Sequence, residues 1–170
     1  IYIMIRPRGG NFVYSDAEFQ QMKDAILKLK TLAINGFVFG ILNEDHTINS
    51  NQNTELVNLA KPILCTFHRA FDEVINYKIA LEEVVSCGFS TILTSGTFPN
   101  VMEGKEVLKQ LVIQANNRIE IMPGGGLRST NVLELNEMVN TNWYHSSAIT
   151  DGSEIASPEE IVQLKKKLQS

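Results

Sequence analysis

A histidine and a carboxylate stand close together in the segment His68-Arg69-Ala70-Phe71-Asp72, directly after a short apolar run. An imidazole changes charge near neutral pH, so His68 is the strongest candidate for a proton carrier in this chain. A carboxylate as near as Asp72 could hold that imidazole in one tautomer. His68 and Asp72 are therefore the candidate catalytic residues, and a histidine that only packs in a core or loop is the alternative.

Two arginines could make the surroundings of His68 cationic. Arg6 follows the first apolar run of the chain, and Arg69 follows His68 directly. Guanidinium groups bind carboxylates and phosphates through paired hydrogen bonds, so such a pocket would suit an anionic guest. Arg69 could equally turn away and pair with a helix acid.

The three consecutive glycines Gly124, Gly125 and Gly126 come between a predicted strand and a helix predicted to start near Ser129 or Thr130. Bare backbone amides at such a place could cradle an oxyanion, and a tight strand-to-helix turn is the alternative. A Schiff-base mechanism is disfavoured because no lysine stands at a predicted strand end. His68, Asp72 and His145 are too small a set to predict a divalent metal centre.

Six short β-rich runs, alternating with segments of helical periodicity, must position these residues. The runs are residues 2–5, 36–40, 63–67, 91–93, 119–122 and 143–145. This alternation predicts an α/β fold with a parallel sheet, and polar or glycine residues follow nearly every run, as at the mouth of a TIM-type β/α barrel. We therefore predict six parallel strands in one domain over residues 1–170. Strand alternation places Tyr2 and Met4 in the barrel interior below Arg6.

Two helix starts are marked by a serine followed three residues later by a glutamate. These are Ser15 with Glu18, and Ser157 with Glu160, the latter with Pro158 at the first helical position. A doubly wound open sheet would fit the same alternation of elements. The chain lacks the glycine fingerprint of that fold for dinucleotides, so the barrel is preferred.

The bulk composition excludes some classes of partner. A net charge of −4 and a pI near 5.4 argue against nucleic acid and anionic membranes as main partners. Nothing approaches the roughly 18 unbroken apolar residues of a membrane helix. Cys65 and Cys87 match neither a disulfide framework nor a metal motif. We therefore expect a cytoplasmic protein in which both cysteines are packing residues.

Several motifs resemble the CutC family, in the same order and with similar spacing. They are MIRPRGG (residues 4–10), GFVFG (36–40), TFHRAFD (66–72), LTSG (93–96), IMPGGG (121–126) and HSSA (145–148). The first and third are highly specific, and the resemblance extends over residues 1–148. It implies a TIM-type barrel, a cytoplasmic location and a role in copper homeostasis or copper binding, without an established reaction.

The resemblance also implies a set of residues at the barrel mouth. With the residues proposed above, the candidate binding set is Arg6, Arg8, Arg69, Ser95, Gly96, Gly124, Gly125, Gly126, His145 and Ser146. The family barrel has eight strands, and the chain begins at what resembles the third. The cysteines proposed as copper ligands in the family belong to the first two strands, so no metal ligand is assigned here.

Three functions remain open at this point. The first is a CutC-like protein that handles copper by binding rather than turnover. The second is a barrel enzyme acting on a small anionic metabolite, with His68 as acid or base. The third is a subunit that survives only in an assembly. The expected partners are a copper ion or a small anionic ligand. We also expect a homo-oligomer, in which a second copy, or alternatively an N-terminal segment, covers the open sheet edges.

Overall fold

The structure is a computed structural model, and it describes residues 1–169. Strands and helices alternate along the chain, as predicted. The strands are β1 (Tyr2–Met4), β2 (Gly36–Phe39), β3 (Leu64–Phe67), β4 (Thr91–Thr94) and β5 (Glu120–Pro123). The helices are α1 (Asp16–Leu29), α2 (Ser50–Ala60), α3 (Tyr77–Cys87), α4 (Lys105–Ala115), α5 (Val132–Val139) and α6 (Pro158–Leu168), and a 3-10 helix (Arg69–Glu73) follows β3.

The strands form one sheet in the order β1-β2-β3-β4-β5. The register places Tyr2 beside Gly36 in the first pair, and Val38 beside Thr66 in the second, with parallel strands in each. Parallel strands in sequence order, connected by helices, are the unit from which a β/α barrel is built. The predicted α/β barrel class is therefore confirmed, with five strands.

The predicted sixth strand does not form within the described residues. Within residues 143–145 only His145 joins the sheet, through an isolated parallel bridge to Gly124. Its backbone N–H donates to the carbonyl of Pro123 at 2.9 Å. The residues before it form a turn, in which the Thr141 hydroxyl donates to the carbonyl of Trp143. The Trp143 carbonyl is thereby bonded to a side chain rather than to a neighbouring strand.

The chain divides into two compact units within β4, the first comprising residues 1–92 and the second beginning at Leu93. The core of the first unit combines aliphatic side chains with a group of phenylalanines, in which Phe67 contacts Phe71 and Phe89 in edge-to-face geometry, with ring centroids 6.4 and 5.2 Å apart. The core of the second unit is aliphatic. Its fully buried side chains include Leu108, Leu111, Val132 and Leu135.

Tyr2 and Met4 do not have the burial expected of barrel-interior residues. Their exposed fractions are 53% and 52%, whereas Ile5 is only 4% exposed. In the part of the chain that the structure describes, β1 is an end strand with one neighbour, so fewer side chains cover it. Tyr2 and Met4 are therefore more exposed than the predicted position inside a barrel would require.

The two predicted helix caps are confirmed. Ser15 and Glu18 form a reciprocal capping box at the start of α1. Ser157 accepts a hydrogen bond from the backbone N–H of Glu160 at the start of α6. The Glu160 carboxylate does not complete a second box, because it accepts from the backbone and the hydroxyl of Ser129 at 2.6 and 2.7 Å. This residue thus ties α6 to the turn before α5.

Candidate functional site

His68 lies at the end of β3, where its side chain is enclosed. The residue is 4% exposed, and its backbone N–H donates to the carbonyl of Phe39 at 3.1 Å. The ring packs closely against Gly40, since a Cβ atom at that position would lie 2.9 Å from Nδ1. Glycine at position 40 therefore makes room for the imidazole.

The tautomer of His68 follows from the contact of its Nδ1 atom. Nδ1 accepts a hydrogen bond from the backbone N–H of Ala70 at 3.3 Å, so the proton of the neutral ring is on Nε2. Nε2 is buried and has no hydrogen-bond partner among the described residues. Most buried polar groups in proteins are paired, so this atom is an exception that needs an explanation.

The protonation state of His68 differs from that expected of a proton carrier. Burial, supported by the positive charge of Arg6, lowers its pKa to about 4. The ring is then neutral near pH 7 and can donate a hydrogen bond from Nε2. The geometry thus favours a hydrogen-bond donor over an acid or base at this position.

Asp72 binds Arg69 instead of holding the tautomer of His68. Arg69 Nε lies 2.6 Å from Asp72 Oδ2, within the 3-10 helix. Ala70 supplies the contact that fixes the imidazole. This arrangement matches the alternative in which Arg69 turns away to pair with an acid, and it neutralises charge beside His68.

Arg6 and His68 both contact the aromatic ring of Phe12. The Arg6 guanidinium carbon is 4.6 Å from the centroid of Phe12, and the Phe12 centroid is 4.9 Å from that of His68. Arg6 is exposed and donates to the carbonyl of Gly10 at 2.7 Å. The structure therefore brings the predicted residues Arg6 and His68 together.

A second buried polar atom lies near Arg6. Tyr14 is 7% exposed, and its hydroxyl proton has no acceptor among the described residues, while Arg6 lies close enough to the phenol oxygen to donate to it. Burial raises the pKa of Tyr14, and the nearby charge of Arg6 opposes that rise. Sequence reasoning did not find Phe12 or Tyr14, although two aromatics separated by one residue in a polar, glycine-rich segment were an available signal.

Arg8 is a predicted binding residue whose donors are used inside its own loop. Its guanidinium binds Glu18 at 2.6 Å and the carbonyl of Val13 at 2.6 Å. Further bonds go to the carbonyls of Gly9 and Asn11 and to the Asn11 side chain. Arg8 therefore holds the loop that carries Phe12 and Tyr14.

In the second unit, Ser95 and Gly96 lie in a tight crossing of two backbone segments. The Ser95 hydroxyl donates to the carbonyl of Phe98, and the N–H of Gly96 donates to the Thr94 hydroxyl at 2.9 Å. A Cβ atom at Gly96 would lie 2.5 Å from the carbonyl oxygen of Gly104. A Cβ atom at Gly104 would in turn lie 1.9 Å from the carbonyl oxygen of Ser95, so Gly96 and Gly104 are both required where these two backbone segments cross.

The triple-glycine loop is separated from the helix that follows it. The backbone N–H of Gly124 donates to the carbonyl of Thr94, and the carbonyl of Gly125 accepts from Val101, each at 2.9 Å. Helix α5 begins at Val132, later than the predicted start near Ser129 or Thr130. The expected oxyanion cradle at a helix N-terminus is therefore displaced from these glycines.

Arg128, which sequence reasoning did not find, holds the segment after His145. Its guanidinium donates to the hydroxyl of Ser146 at 3.3 Å and to the carbonyl of Ile149 at 2.7 Å. The Ser146 hydroxyl donates in turn to the carbonyl of Leu127 at 2.7 Å. Ser146 and Arg128 therefore fix this loop to the turn before α5.

The cysteine side chains do not fit a copper(I) site. Both are buried free thiols; burial raises the pKa of Cys65 to about 12 and raises that of Cys87. Cuprous copper prefers thiolate and thioether ligands, which these protonated thiols do not supply. Among residues 1–169, no group of three or more His, Cys, Asp and Glu residues could hold a metal ion.

Comparison with known proteins agrees with the class of fold. A crystal structure of CutC from Streptococcus agalactiae is similar with a TM-score of 0.83 and 35% identity, covering 88% of this chain and 73% of that one. A D-psicose 3-epimerase is similar with a TM-score of 0.57 and 12% identity, which shows the fold alone. The chain is therefore of the β/α-barrel class. No helix within the described residues has the length and apolar character to span a membrane.

The sequence comparisons then identify the family. The CutC family matches residues 1–150. The mouse and human copper homeostasis protein cutC homologues are 43% and 41% identical to this chain over 148 residues. This chain belongs to the CutC family. The match covers 87% of this chain and 54% of each of those two relatives, so the chain spans about half their length.

Proposed function

We propose that this chain belongs to a cytoplasmic protein that acts in copper homeostasis through binding rather than turnover. The observation that carries the proposal is its 43% identity over 148 residues to the mouse copper homeostasis protein cutC homologue. The residues around His68 also favour binding, because a histidine with a pKa of about 4 is poorly suited to proton transfer at neutral pH.

In this proposal Cys65 and Cys87 are not the copper ligands. Their thiols are buried, and each donates a weak hydrogen bond to a backbone carbonyl, that of Ile63 for Cys65 and that of Ser50 for Cys87. Copper binding by either would require a proton to leave an enclosed thiol, which burial opposes. We infer that these cysteines stabilise the core.

Gene disruption in the source organism tests the role. The disrupted strain is expected to differ from its parent in copper tolerance or in total cell copper measured by elemental analysis. The intact gene should restore the parental value, and zinc content should serve as the control. Identical copper tolerance and copper content in both strains would contradict a role in copper homeostasis.

A small-ligand function is the second candidate, and one observation favours it. Two buried donors, His68 Nε2 and the Tyr14 hydroxyl, have no acceptor among the described residues, and the positive charge of Arg6 acts to lower the pKa of both groups. Elemental analysis and mass spectrometry of the purified full-length protein would test both candidates. A retained metal supports the first function and a retained anionic metabolite the second.

A further inference from the structure

We propose that Arg6, Tyr14 and His68 form a binding site for the oxyanion group of a small carboxylate or phosphate ligand, in which His68 is a neutral hydrogen-bond donor. This site is independent of the copper role. It differs from a pocket built from cationic Arg6, His68 and Arg69, because Tyr14 replaces Arg69 and the imidazole carries no charge.

The first support is the number of donors without an acceptor. His68 Nε2 carries the proton of the neutral ring because Nδ1 accepts from Ala70. The Tyr14 hydroxyl is the second donor without an acceptor among the described residues, and His68 and Tyr14 are 4% and 7% exposed. A buried donor without an acceptor is costly, so two of them in one cluster indicate a missing acceptor.

The second support is the charge around these donors. Arg6 stacks on Phe12, which in turn contacts His68, and the positive charge of Arg6 acts on both Tyr14 and His68. Two of the neighbouring acids are already paired with arginines, since Glu18 binds Arg8 and Asp72 binds Arg69, each at 2.6 Å. Oxyanions accept several hydrogen bonds and carry the opposite charge to Arg6, and therefore match this set of groups.

The third support is the way in which the site is built. Arg8 binds Val13 and Asn11 and so fixes the loop that carries Phe12 and Tyr14. Arg6 is exposed and makes a hydrogen bond to Gly10 in its own loop. A movement of the Arg6 side chain would admit a ligand from solvent without disturbing the bonds of Arg8. The loop is therefore fixed while its outermost cation can rearrange.

The test is a titration of the full-length protein, labelled with nitrogen-15 at histidine, with inorganic phosphate and separately with malonate. Chloride at matched ionic strength is the reference. The Nε2 resonance of His68 should shift and saturate with at least one of the two anions. Saturation by phosphate alone identifies a phosphate ligand, and saturation by malonate alone identifies a carboxylate. No saturable shift with either anion would mean that the donors hold an internal water only, and would overturn the proposal.

Variants that keep an aromatic ring but lose its hydrogen-bond donor provide the second test. Tyr14→Phe and His68→Phe should each weaken anion binding by about tenfold, the effect of losing one hydrogen bond to a charged ligand. Tyr14→Phe should not lower the melting temperature of the ligand-free protein, because it removes only a donor without an acceptor. His68→Phe also removes the acceptor of the Ala70 N–H and should lower the melting temperature, so its anion affinity is compared at a temperature at which it is fully folded. Arg6→Leu should abolish binding.

Two control variants separate this result from general damage. The Tyr144 hydroxyl donates to Asn136 at 2.6 Å, so Tyr144→Phe should lower the melting temperature and leave anion binding unchanged. Arg118 donates to the backbone carbonyls of Ala115 and Gln114, and Arg118→Leu should also leave binding unchanged. Equal anion affinity in the parent, Tyr14→Phe and His68→Phe would overturn the site.

Discussion

The backbone N–H of Ala70 donates to Nδ1 of His68 at 3.3 Å and thereby places the proton of the neutral imidazole on Nε2. This single contact decides between two chemistries for His68. With Nδ1 occupied and the ring buried, the residue acts as a donor from a fixed position. A proton carrier would need access to solvent or substrate and a pKa nearer to neutrality.

The buried neutral histidine predicts a dependence of stability on pH. His68 has a pKa of about 4 in the folded protein against an ordinary histidine pKa of 6.5, so the unfolded state binds a proton more readily between these values. The free energy of unfolding should therefore fall as the pH decreases from 6.5 towards 4. The expected loss from His68 is about 3 kcal/mol at full protonation.

Urea unfolding at a series of pH values measures this effect in the parent and in His68→Phe. Carboxylates titrate in both proteins, so the difference between the two curves isolates His68. Parallel curves between pH 4 and 6.5 would contradict a depressed pKa. A histidine NMR titration gives the pKa directly.

Arg8→Ala should destabilise the loop between β1 and α1. Arg8 donates to Glu18, Val13, Asn11 and Gly9, and these acceptors would lose a shared partner. The side chain is 38% exposed, so water can replace part of the loss. We expect a decrease of about 1–2 kcal/mol in the free energy of unfolding and faster proteolysis of the loop.

Arg8→Lys tests whether charge alone is sufficient, since lysine keeps the cation but lacks the planar fork of donors. It should be closer to Arg8→Ala than to the parent in proteolysis rate. A lysine variant as resistant as the parent would show that the hydrogen-bond geometry of Arg8 is unimportant.

Glu160→Gln should loosen α6. The Glu160 carboxylate accepts from the backbone and hydroxyl of Ser129; burial raises its pKa, but these bonds, with Arg128 and Lys167, produce a net lowering. An amide would retain a weaker acceptor, so we expect a loss of about 1 kcal/mol. Amide hydrogen exchange in α6 should accelerate.

Glu159→Gln is the matched control on the neighbouring residue. The Glu159 carboxylate accepts from the hydroxyl of Ser157, and residue 159 is exposed. Its replacement should change the free energy of unfolding by less than about 0.5 kcal/mol. Equal effects of the two variants on α6 exchange would refute the anchoring role of Glu160.

Copper(I) affinity should be unchanged in the double variant Cys65→Ala, Cys87→Ala. Both thiols have raised pKa values and are protonated at neutral pH, so their removal takes no thiolate ligand away. Competition with a chromogenic copper(I) chelator under reducing conditions gives the affinity. A large loss of affinity in the double variant would show that these thiols do bind copper.

The sequence by itself determined the fold class, the family and the starts of α1 and α6. Apolar runs that alternate with helical segments predict parallel strands. The serine caps of α1 and α6 depend on residues within one helical turn, so they can be predicted without knowledge of any long-range contact. The motifs around Arg6 and His68 were sufficient to indicate the CutC family. These features depend on local chemistry and on residue order.

The tertiary structure alone decided the state and surroundings of the candidate site residues. The sequence places Asp72 near His68, but the pairing of Asp72 with Arg69 and of His68 with Ala70 depends on backbone geometry after β3. The approach of Phe12 and Tyr14 to Arg6, and the end of the sheet ladder at His145, depend on how loops fold back. Burial and hydrogen bonding in three dimensions set pKa values and satisfy donors, and no spacing in the sequence specifies them.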